Sequence, residues 1–338
     1  MRSSMAKRNR SAGFLAMTVI LTLAILPGYI MLRAGEASAL EKVVLAGGSM
    51  TQIPQVDVAF RDDLFKEAGL DVEVVSFPSG REGFEALIGG QVDIALMAEF
   101  PVAIGAVREQ PFALLAELSQ YSGHKIIASA KSGDFKNIAD LAGKKIGVTI
   151  GTNVAYLLES ELASAGIAAE IVNVAPPDMA PALVRGDIDA ASPFPNVYAA
   201  ARNALGGEYR EIPVKNYISR FVLAVSNAFA ERDRETVNKF VAALVKADAT
   251  VRSDRAEALE TVFENYGGVI TREQLAEQWE DTSFDVQLTD SLLDLVEKEG
   301  TWIAEGTLKQ TPPDREHYRR FFLTQPLEKA LGRSIEIR

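Results

Sequence analysis

The chain has 338 residues, of which 48% are hydrophobic and 24% charged, so it is long enough for two domains and too apolar for general disorder. Its net charge of −11 at pH 7 counts against nucleic acid and anionic lipid as partners. Because it contains no cysteine, disulfides, zinc thiolate sites, thiol nucleophiles and a lipid-modified cysteine anchor are excluded.

Residues 1–39 differ in composition from the rest of the chain. Residues 1–10 carry basic side chains and no acid, residues 11–32 are uncharged and mostly apolar, and Ala37-Ser38-Ala39 matches a cleavage pattern. This order is typical of a secretory signal peptide. The run 11–32 is also long enough to form an inner-membrane anchor, which stays open as an alternative. Either way, we expect the remainder of the chain to be periplasmic.

From residue 41 onward, short apolar runs alternate with helical stretches. The predicted elements are a strand at 41–45, a helix at 56–68, a strand at 71–75, a helix from Ser79 and a buried strand at 93–97. Ser79 and Glu82 form a capping-box pattern at the second helix. This order predicts a parallel α/β unit whose loops at the carboxyl ends of the strands can bind a ligand.

A second, similar unit follows a polar crossover at 119–125. It has predicted strands at 146–150 and 171–174, with helices at 151–165 and from Pro177. A strand at 221–225 returns the chain to the first unit, and only helices are predicted from 231 onward. The fold class is therefore α/β, with two similar lobes, a two-strand hinge and a helical C-terminal tail. The predicted limits are residues 40–120 plus 226–338 for the first lobe and 121–225 for the second.

One sequence pattern occurs twice and supports the two-lobe prediction. Ala86, Leu87, Gly90, Asp93 and Ala95 match, without a gap, Ala182, Leu183, Gly186, Asp189 and Ala191. Phe100-Pro101 and Phe194-Pro195 follow the two copies, and the preceding apolar runs 42–48 and 145–151 are also alike. Because Asp93 and Asp189 both lie in a Gly-x-x-Asp turn, we predict that they cap backbone amides and are not catalytic.

The candidate ligand-binding residues lie in loops where the two lobes would meet. Helix N-termini bind anions, and two of them, at 79–81 and 152–153, lie in opposite halves; ordinary capping is the alternative for each. Glu99 is predicted at a ligand-facing turn, where it would bind an amino group or remain a solvated acid. Phe100 and Phe194 would form apolar walls or plug the turns beneath them. The predicted set is Ser49, Thr51, Gln52, Ser79, Gly80, Arg81, Glu99, Phe100, Thr152, Asn153 and Phe194.

Patterns typical of enzymes are absent from the sequence. His124 and His317 have no metal-spaced partners, and there is no nucleophile elbow, P-loop or dinucleotide-binding glycine motif. We therefore predict no catalytic residues, no metal and no cofactor. Trp279 and Trp302 are expected to serve in packing.

Several of these stretches together resemble one known family. The export signal, the two Ala-Leu-x-x-Gly copies and the stretch 140–148 are similar to the nitrate/sulfonate/taurine class of ABC-transporter solute-binding proteins, which is itself similar to THI5-like proteins. The resemblance runs from about residue 42 to the C-terminus. Glu99 departs from the small residues usual at its turn, which counts against plain nitrate. The stretch 192–195 lacks the tryptophan or glutamate often found before the last proline, which leaves the second wall of the pocket open.

The resemblance implies a type II periplasmic-binding fold that closes on one small molecule. A monomeric receptor would capture an organic sulfonate, nitrate or taurine-like solute and deliver it to an ABC permease and its ATPase. The alternatives are a THI5-like pyrimidine-precursor binding protein or enzyme on the same fold, and a membrane-tethered solute sensor.

Overall fold

The computed structural model describes residues 39–47, 50–266, 268 and 270–338. The predicted signal or anchor, apart from Ala39, and the predicted ligand residue Ser49 lie outside the described residues. Within the described part of the chain, no helix is long and apolar enough to cross a membrane.

The first β-sheet has six strands. They are β1 (Glu41–Ala46), β2 (Leu70–Val75), β3 (Ile94–Ala98), β4 (Phe112–Tyr121), β10 (Ser219–Ser226) and β11 (Thr282–Gln287), in the spatial order β11-β4-β10-β3-β1-β2. Strand β1 pairs in parallel with both β2 and β3, which confirms the predicted parallel unit. Strand β10 runs antiparallel between β3 and β4, so the returning chain is buried in the middle of the sheet.

The second β-sheet has five strands. They are β5 (Lys125–Ser129), β6 (Lys145–Val148), β7 (Glu170–Asn173), β8 (Ala190–Ser192) and β9 (Tyr209–Pro213), in the order β7-β6-β8-β5-β9. We call each sheet with its covering helices a lobe. The chain passes between the lobes after β4 and again before β10. Tyr121 and β10, which fall within the predicted range 121–225, pair in the first sheet; the limits of the lobes themselves stay a prediction.

Helices cover both sheets. In chain order they are α1 (Pro54–Arg61), α2 (Leu64–Glu67), α3 (Gly80–Ile88), α4 (Phe100–Val107), α5 (Asn153–Ala165), α6 (Met179–Arg185), α7 (Pro195–Leu205), α8 (Asn227–Arg232), α9 (Arg234–Ser253), α10 (Arg255–Asn265), α11 (Arg272–Glu280), α12 (Asp290–Trp302), α13 (Arg315–Arg319) and α14 (Gln325–Leu331). The predicted helix 56–68 is interrupted at Asp63, whose φ of 53° is left-handed and cannot continue a helix.

The C-terminal tail is helical, as predicted, except for one strand that the sequence analysis did not identify. Strand β11 leaves the tail to pair antiparallel with β4 at the edge of the first sheet. Its buried and exposed residues alternate from Thr282 to Val286, as expected for a strand with one covered face. The rest of the tail packs mainly on the first lobe, where α9 lies against α1 and α14. The predicted apolar face of α9 is buried, including Val237, Phe240, Val241 and Leu244.

The two repeated aspartates perform the same structural task in the two lobes. Asp93 Oδ2 accepts a hydrogen bond from the Val44 amide at 2.8 Å, and Asp189 Oδ2 accepts one from the Lys145 amide at 2.9 Å. Each aspartate also donates its own amide to the carbonyl of the same partner. Each carboxylate therefore joins one strand to its parallel neighbour, which confirms the prediction that both residues cap backbone amides.

The strand pairing corrects one detail of the sequence repeat. Leu45 lies opposite Ile94, and Ile146 lies opposite Ala190. Because Ile94 and Ala190 are equivalent in the repeat, Leu45 corresponds to Ile146, and the match of 42–48 with 145–151 is off by two residues. A slip of two leaves every side chain on its correct face of the sheet, so the apolar pattern could not reveal it.

Replacing either aspartate by alanine should destabilise the protein without changing its ligand preference. Asp93→Ala and Asp189→Ala each leave a strand amide without its acceptor, which costs about 1–3 kcal/mol. Urea denaturation measures this loss. Asp187→Ala is the matched control, since its exposed pair with Arg185 at the same turn should contribute less than about 0.5 kcal/mol. Unchanged stability with altered ligand preference would move Asp93 or Asp189 into the binding site.

Candidate functional site

A cavity of about 180 Å³ lies between the two lobes. The first lobe contributes the loop after β1, the N-terminus of α3 and the end of β3. The second lobe contributes the N-terminus of α5 and the turn that begins α7. Of the predicted ligand-binding residues, those that line this cavity are Gln52, Ser79, Gly80, Arg81, Thr152, Asn153 and Phe194. The structure thus brings together residues that are up to 142 positions apart in the sequence.

The N-terminus of α3 is held at the cavity by a capping box and a close backbone approach. The Glu82 carboxylate accepts a hydrogen bond from the Ser79 amide at 2.8 Å, as the sequence predicted. The Ser79 hydroxyl lies in the same box but makes no well-formed hydrogen bond. A Cβ atom at Gly80 would come within 2.6 Å of the Met97 Cβ, so only glycine lets α3 approach β3 this closely. The first amides of α3 therefore face the cavity at a fixed position.

The N-terminus of α5 is tied to the first lobe through Asn153. Its side-chain amide donates to the Ser219 hydroxyl at 2.7 Å, and Ser219 lies on β10. His124 Nε2 is 2.6 Å from the same hydroxyl, and burial lowers the pKa of His124 to about 3, so the imidazole is neutral. Ser219 can therefore accept from Asn153 and donate to His124. The Asn153 Oδ1 atom is buried and has no partner in the described part of the protein.

Arg81 is the one charged side chain among the described residues that line the cavity. The Arg81 guanidinium pairs with the Glu85 carboxylate at 3.0 Å. The Arg81 Nε atom is buried without a hydrogen-bond partner among the described residues. A Cβ at Gly151 would lie 2.8 Å from the Arg81 Cδ, so Arg81 packs directly on the second lobe. Both helix N-termini are nearby and none of the described lining residues is acidic, which favours an anion; Glu82 and Glu85, at 4.0 and 3.0 Å from Arg81, lie outside the lining.

Three of the remaining predicted residues do not line this cavity. Thr51 is buried behind it, where its carbonyl accepts from the Trp279 indole at 2.6 Å. Phe100 is buried and faces a second cavity, beside Tyr156 and Trp302. Glu99 is fully buried and points away from the cavity. Neither predicted role is therefore seen: it does not face the ligand site, and it is not a solvated acid at the rim.

The cavity also has lining residues that the sequence did not predict. Met50, Phe77, Phe221 and Tyr266 add apolar and aromatic surface, and Asn196 adds a polar side chain. Phe77 lies two residues before the predicted N-cap Ser79, and Asn196 follows the repeated Phe-Pro pair, so a sequence pattern lay next to each residue. Tyr266 comes from the end of α10 in the tail and had none, because only tertiary packing brings it to the cavity.

A family comparison agrees with this architecture. The sequence profile described as NMT1/THI5 like matches residues 51–258, which is more than half of the chain. The chain belongs to the NMT1/THI5-like family.

Two curated relatives of this NMT1/THI5-like protein have names that state a ligand. The taurine-binding periplasmic protein of Escherichia coli K12 is 30% identical over 207 residues, which cover 58% of this chain and 63% of the relative. A putative aliphatic sulfonates-binding protein of the same organism is 25% identical over 199 residues, covering 57% and 61%. The chain therefore spans about three fifths of the length of these relatives.

Solved structures show the same fold. The alkanesulfonate-binding protein SsuA from Xanthomonas axonopodis pv. citri, bound to MOPS, superposes with a TM-score of 0.70 at 18% identity and covers 85% of this chain and 98% of that chain. The periplasmic nitrate-binding protein NrtA from Synechocystis PCC 6803 has a TM-score of 0.70 at 14% identity, covering 87% and 89%. These matches confirm the predicted two-lobe periplasmic-binding fold.

The NMT1/THI5-like protein buries Glu99 in an acid cluster behind the cavity wall. The Tyr217 hydroxyl donates to Glu99 Oε1 and lies 3.1 Å from Glu299 Oε1, while the Arg220 amide donates to Glu99 Oε2 at 2.7 Å. Both carboxyl groups are fully buried. Burial raises the pKa of Glu99, and burial together with the nearby Glu99 charge raises the pKa of Glu299 well above its usual value.

The hydrogen bonds assign the protons within this cluster. Tyr217 has one hydroxyl proton for two carboxyl neighbours, Glu99 Oε1 and Glu299 Oε1, so both contacts are satisfied only if one of the two acids is protonated. Glu99 also has the Arg220 amide as a donor, and the pKa of Glu299 is raised well above its usual value, so Glu299 is the member that holds its proton more strongly. Two carboxylates this close and this buried cannot both be charged at low cost.

Replacing Glu299 by glutamine should flatten the pH dependence of stability. In the unfolded chain Glu299 ionises at its ordinary pKa, whereas the folded protein keeps the proton to a much higher pH. Because the folded state then binds more protons, the free energy of unfolding falls as pH rises above the ordinary glutamate value. Glu299→Gln supplies a permanent donor, so it should match the wild type near pH 4 and exceed it by about 1–3 kcal/mol at pH 8.

Urea denaturation at these two pH values measures the effect. Glu305→Gln, at an exposed position just after α12, is the matched control and should leave the pH profile unchanged. A variant less stable than the wild type at pH 8 would show that Glu299 is ionised in the folded protein.

Proposed function

We propose that this protein is the periplasmic solute-binding component of an ABC importer and that it captures a small organic sulfonate between its lobes. The observation that carries this proposal is the electrostatics of the cavity. Arg81 and two helix N-termini supply positive potential, and none of the described lining residues is an acid; Glu85, which pairs with Arg81 at 3.0 Å, lies outside this lining. Delivery of the solute to a membrane permease and its ATPase is part of the proposal, supported by family membership.

The chemistry of the lining favours a sulfonate with an apolar body. The Ser79 hydroxyl and the free amides at the two helix N-termini can donate to several oxygens of one anion without a matched countercharge, whereas the Thr152 hydroxyl already donates to the Thr149 carbonyl at 2.6 Å. Phe77, Phe194 and the other apolar residues of the wall suit a carbon skeleton. Because Glu99 lies behind the wall, the earlier reason to expect an amine on the ligand no longer applies. We therefore propose that an unsubstituted alkanesulfonate binds more tightly than taurine.

Closure of the lobes would couple binding to transport. A ligand held by Arg81 on one lobe and by the start of α5 on the other contacts both lobes only when they are together. Such a ligand stabilises the closed state because its contacts differ between the open and closed states. Direct contacts across the cleft, such as Asn153 with Ser219 and Gln278 with the Pro195 carbonyl, already favour this arrangement.

A receptor accounts for the site better than an enzyme does. The named relatives are binding proteins, and the described residues contain no group of metal-ligating side chains. His124 is neutral, fully buried and engaged with Ser219, so it is not placed to act on a ligand. We therefore propose solute binding without chemical conversion.

Removing the cavity cation should weaken sulfonate binding. Arg81→Gln loses one charge-assisted contact, so the Kd for ethanesulfonate should rise about 10- to 100-fold. Thr152→Ala combined with Asn153→Ala should also weaken binding, with the protein still folded. Isothermal titration calorimetry gives the Kd values, and a thermal-shift panel of ethanesulfonate, taurine, nitrate and sulfate ranks the ligands.

Arg185→Gln is the matched control, because Arg185 is exposed on α6 and outside the cavity. It should bind ethanesulfonate as the wild type does. Binding of nitrate but no sulfonate would contradict the proposed ligand class, and unchanged affinity in Arg81→Gln would remove Arg81 from the site.

A further inference from the structure

A second cavity, of about 320 Å³, adjoins the proposed sulfonate site. The two cavities share Arg81 and Pro101 as lining residues, so one arginine side chain stands between them. The first cavity, at about 180 Å³, is smaller than the roughly 300–1,000 Å³ common for ligand pockets. The second cavity lies just inside this range, so a ligand of ordinary size that uses the first cavity would also extend into the second.

The walls of the second cavity are mostly apolar and aromatic. Phe100 stacks on Tyr156 with ring centroids 5.5 Å apart, and Trp302 meets Tyr156 edge-to-face at 5.4 Å. Ile104 from α4 and Ile303 from the π-helical turn after α12 add aliphatic surface. Burial of an apolar group against this lining is favourable, whereas the lining binds a second anionic group poorly.

Charges near this second cavity also argue against a second anionic group. Glu85 and Glu159 lie among its lining residues, together with Arg81 and Arg108. Arg81 is paired with Glu85, which offsets part of its charge on this side. This distribution of charges fits a ligand whose anionic group lies at Arg81 and whose neutral body extends away from Arg81 into the second cavity.

Both lobes contribute to the second cavity. Phe100, Ile104 and Trp302 belong to the first lobe and the tail, whereas Ile150 and Tyr156 belong to the second lobe. Ile150 is 49% exposed, an apolar surface that an occupant would cover. A body placed there would therefore contact both lobes and favour closure, in the same way as the anionic group.

We propose that the two cavities form one site for an organosulfonate with an extended apolar tail, whose sulfonate lies by Arg81 and whose tail occupies the second cavity. This inference rests on the proposed function and assigns it a substrate class: long-chain or aryl sulfonates in preference to the shortest ones. Ile104 and the Phe100–Tyr156–Trp302 cluster then determine the accepted tail length.

Calorimetry with ethanesulfonate and hexanesulfonate tests the tail cavity. Each buried methylene tightens binding about fourfold at most, so the four additional methylenes of hexanesulfonate should tighten its binding to the wild type by roughly 30-fold and by no more than about 250-fold. Ile104→Trp fills the second cavity, and it should weaken hexanesulfonate at least tenfold while changing ethanesulfonate less than twofold. Thr307→Trp, at an exposed position lining the same cavity, is a second variant in case the first fails to fold.

Val184→Trp is the matched control, because Val184 is exposed on α6 and lines neither cavity. Both ligands should bind it as they bind the wild type. If ethanesulfonate binds but hexanesulfonate gains nothing, or if the filling variants affect both ligands equally, the tail cavity is wrong and the proposed function stands. If neither sulfonate binds the wild-type protein, the proposed function fails and the tail cavity fails with it.

Discussion

The hydrogen bond from the Arg220 amide to the Glu99 carboxylate fixes the point at which the chain returns to the first lobe. It lies at the start of β10, the strand inserted antiparallel between β3 and β4. The same short stretch supplies Tyr217 to the acid cluster, Ser219 to Asn153 and Phe221 to the cavity wall. The lobe crossing, the buried charge and the binding site therefore share one segment, and a shift of β10 would disturb all three.

The sequence predicted what local and repeated patterns determine. Strand and helix periodicity indicated the α/β order, and the recurrence of Asp93 and Asp189 identified a structural carboxylate in each lobe, because a short turn sets its own hydrogen bonds. Strand β11 was missed although it alternates polar and apolar residues, because a six-residue edge strand between helices carries a weak signal. The two-residue slip of the repeat escaped notice because it preserves the faces of the strands.

The site could be predicted only where its residues lie next to a motif. Ser79 and Thr152 were found because each occupies the N-cap position of a helix, and both line the cavity. Glu99 was placed at the correct turn but with the wrong surroundings. Its partner Glu299 is 200 positions away, on a helix whose packing no local pattern reveals. Whether Glu99 is buried depends on such distant partners. The direction of its side chain and its role therefore became visible only in the folded chain.

The protonation state of the acid cluster is compatible with the binding of an anion in the cavity. Residues 40–338 carry a net charge of −15, but at physiological salt the surface acids are screened over about 8 Å, so nearby groups decide what binds. Ala98 and Pro101 line the cavity, while Glu99 between them points the other way, toward Tyr217 and the Arg220 amide. Because Glu299 keeps its proton, at most one negative charge lies behind the wall, where two would repel a bound anion more strongly. Protonation of a buried acid that contacts no ligand thus preserves the positive potential around Arg81.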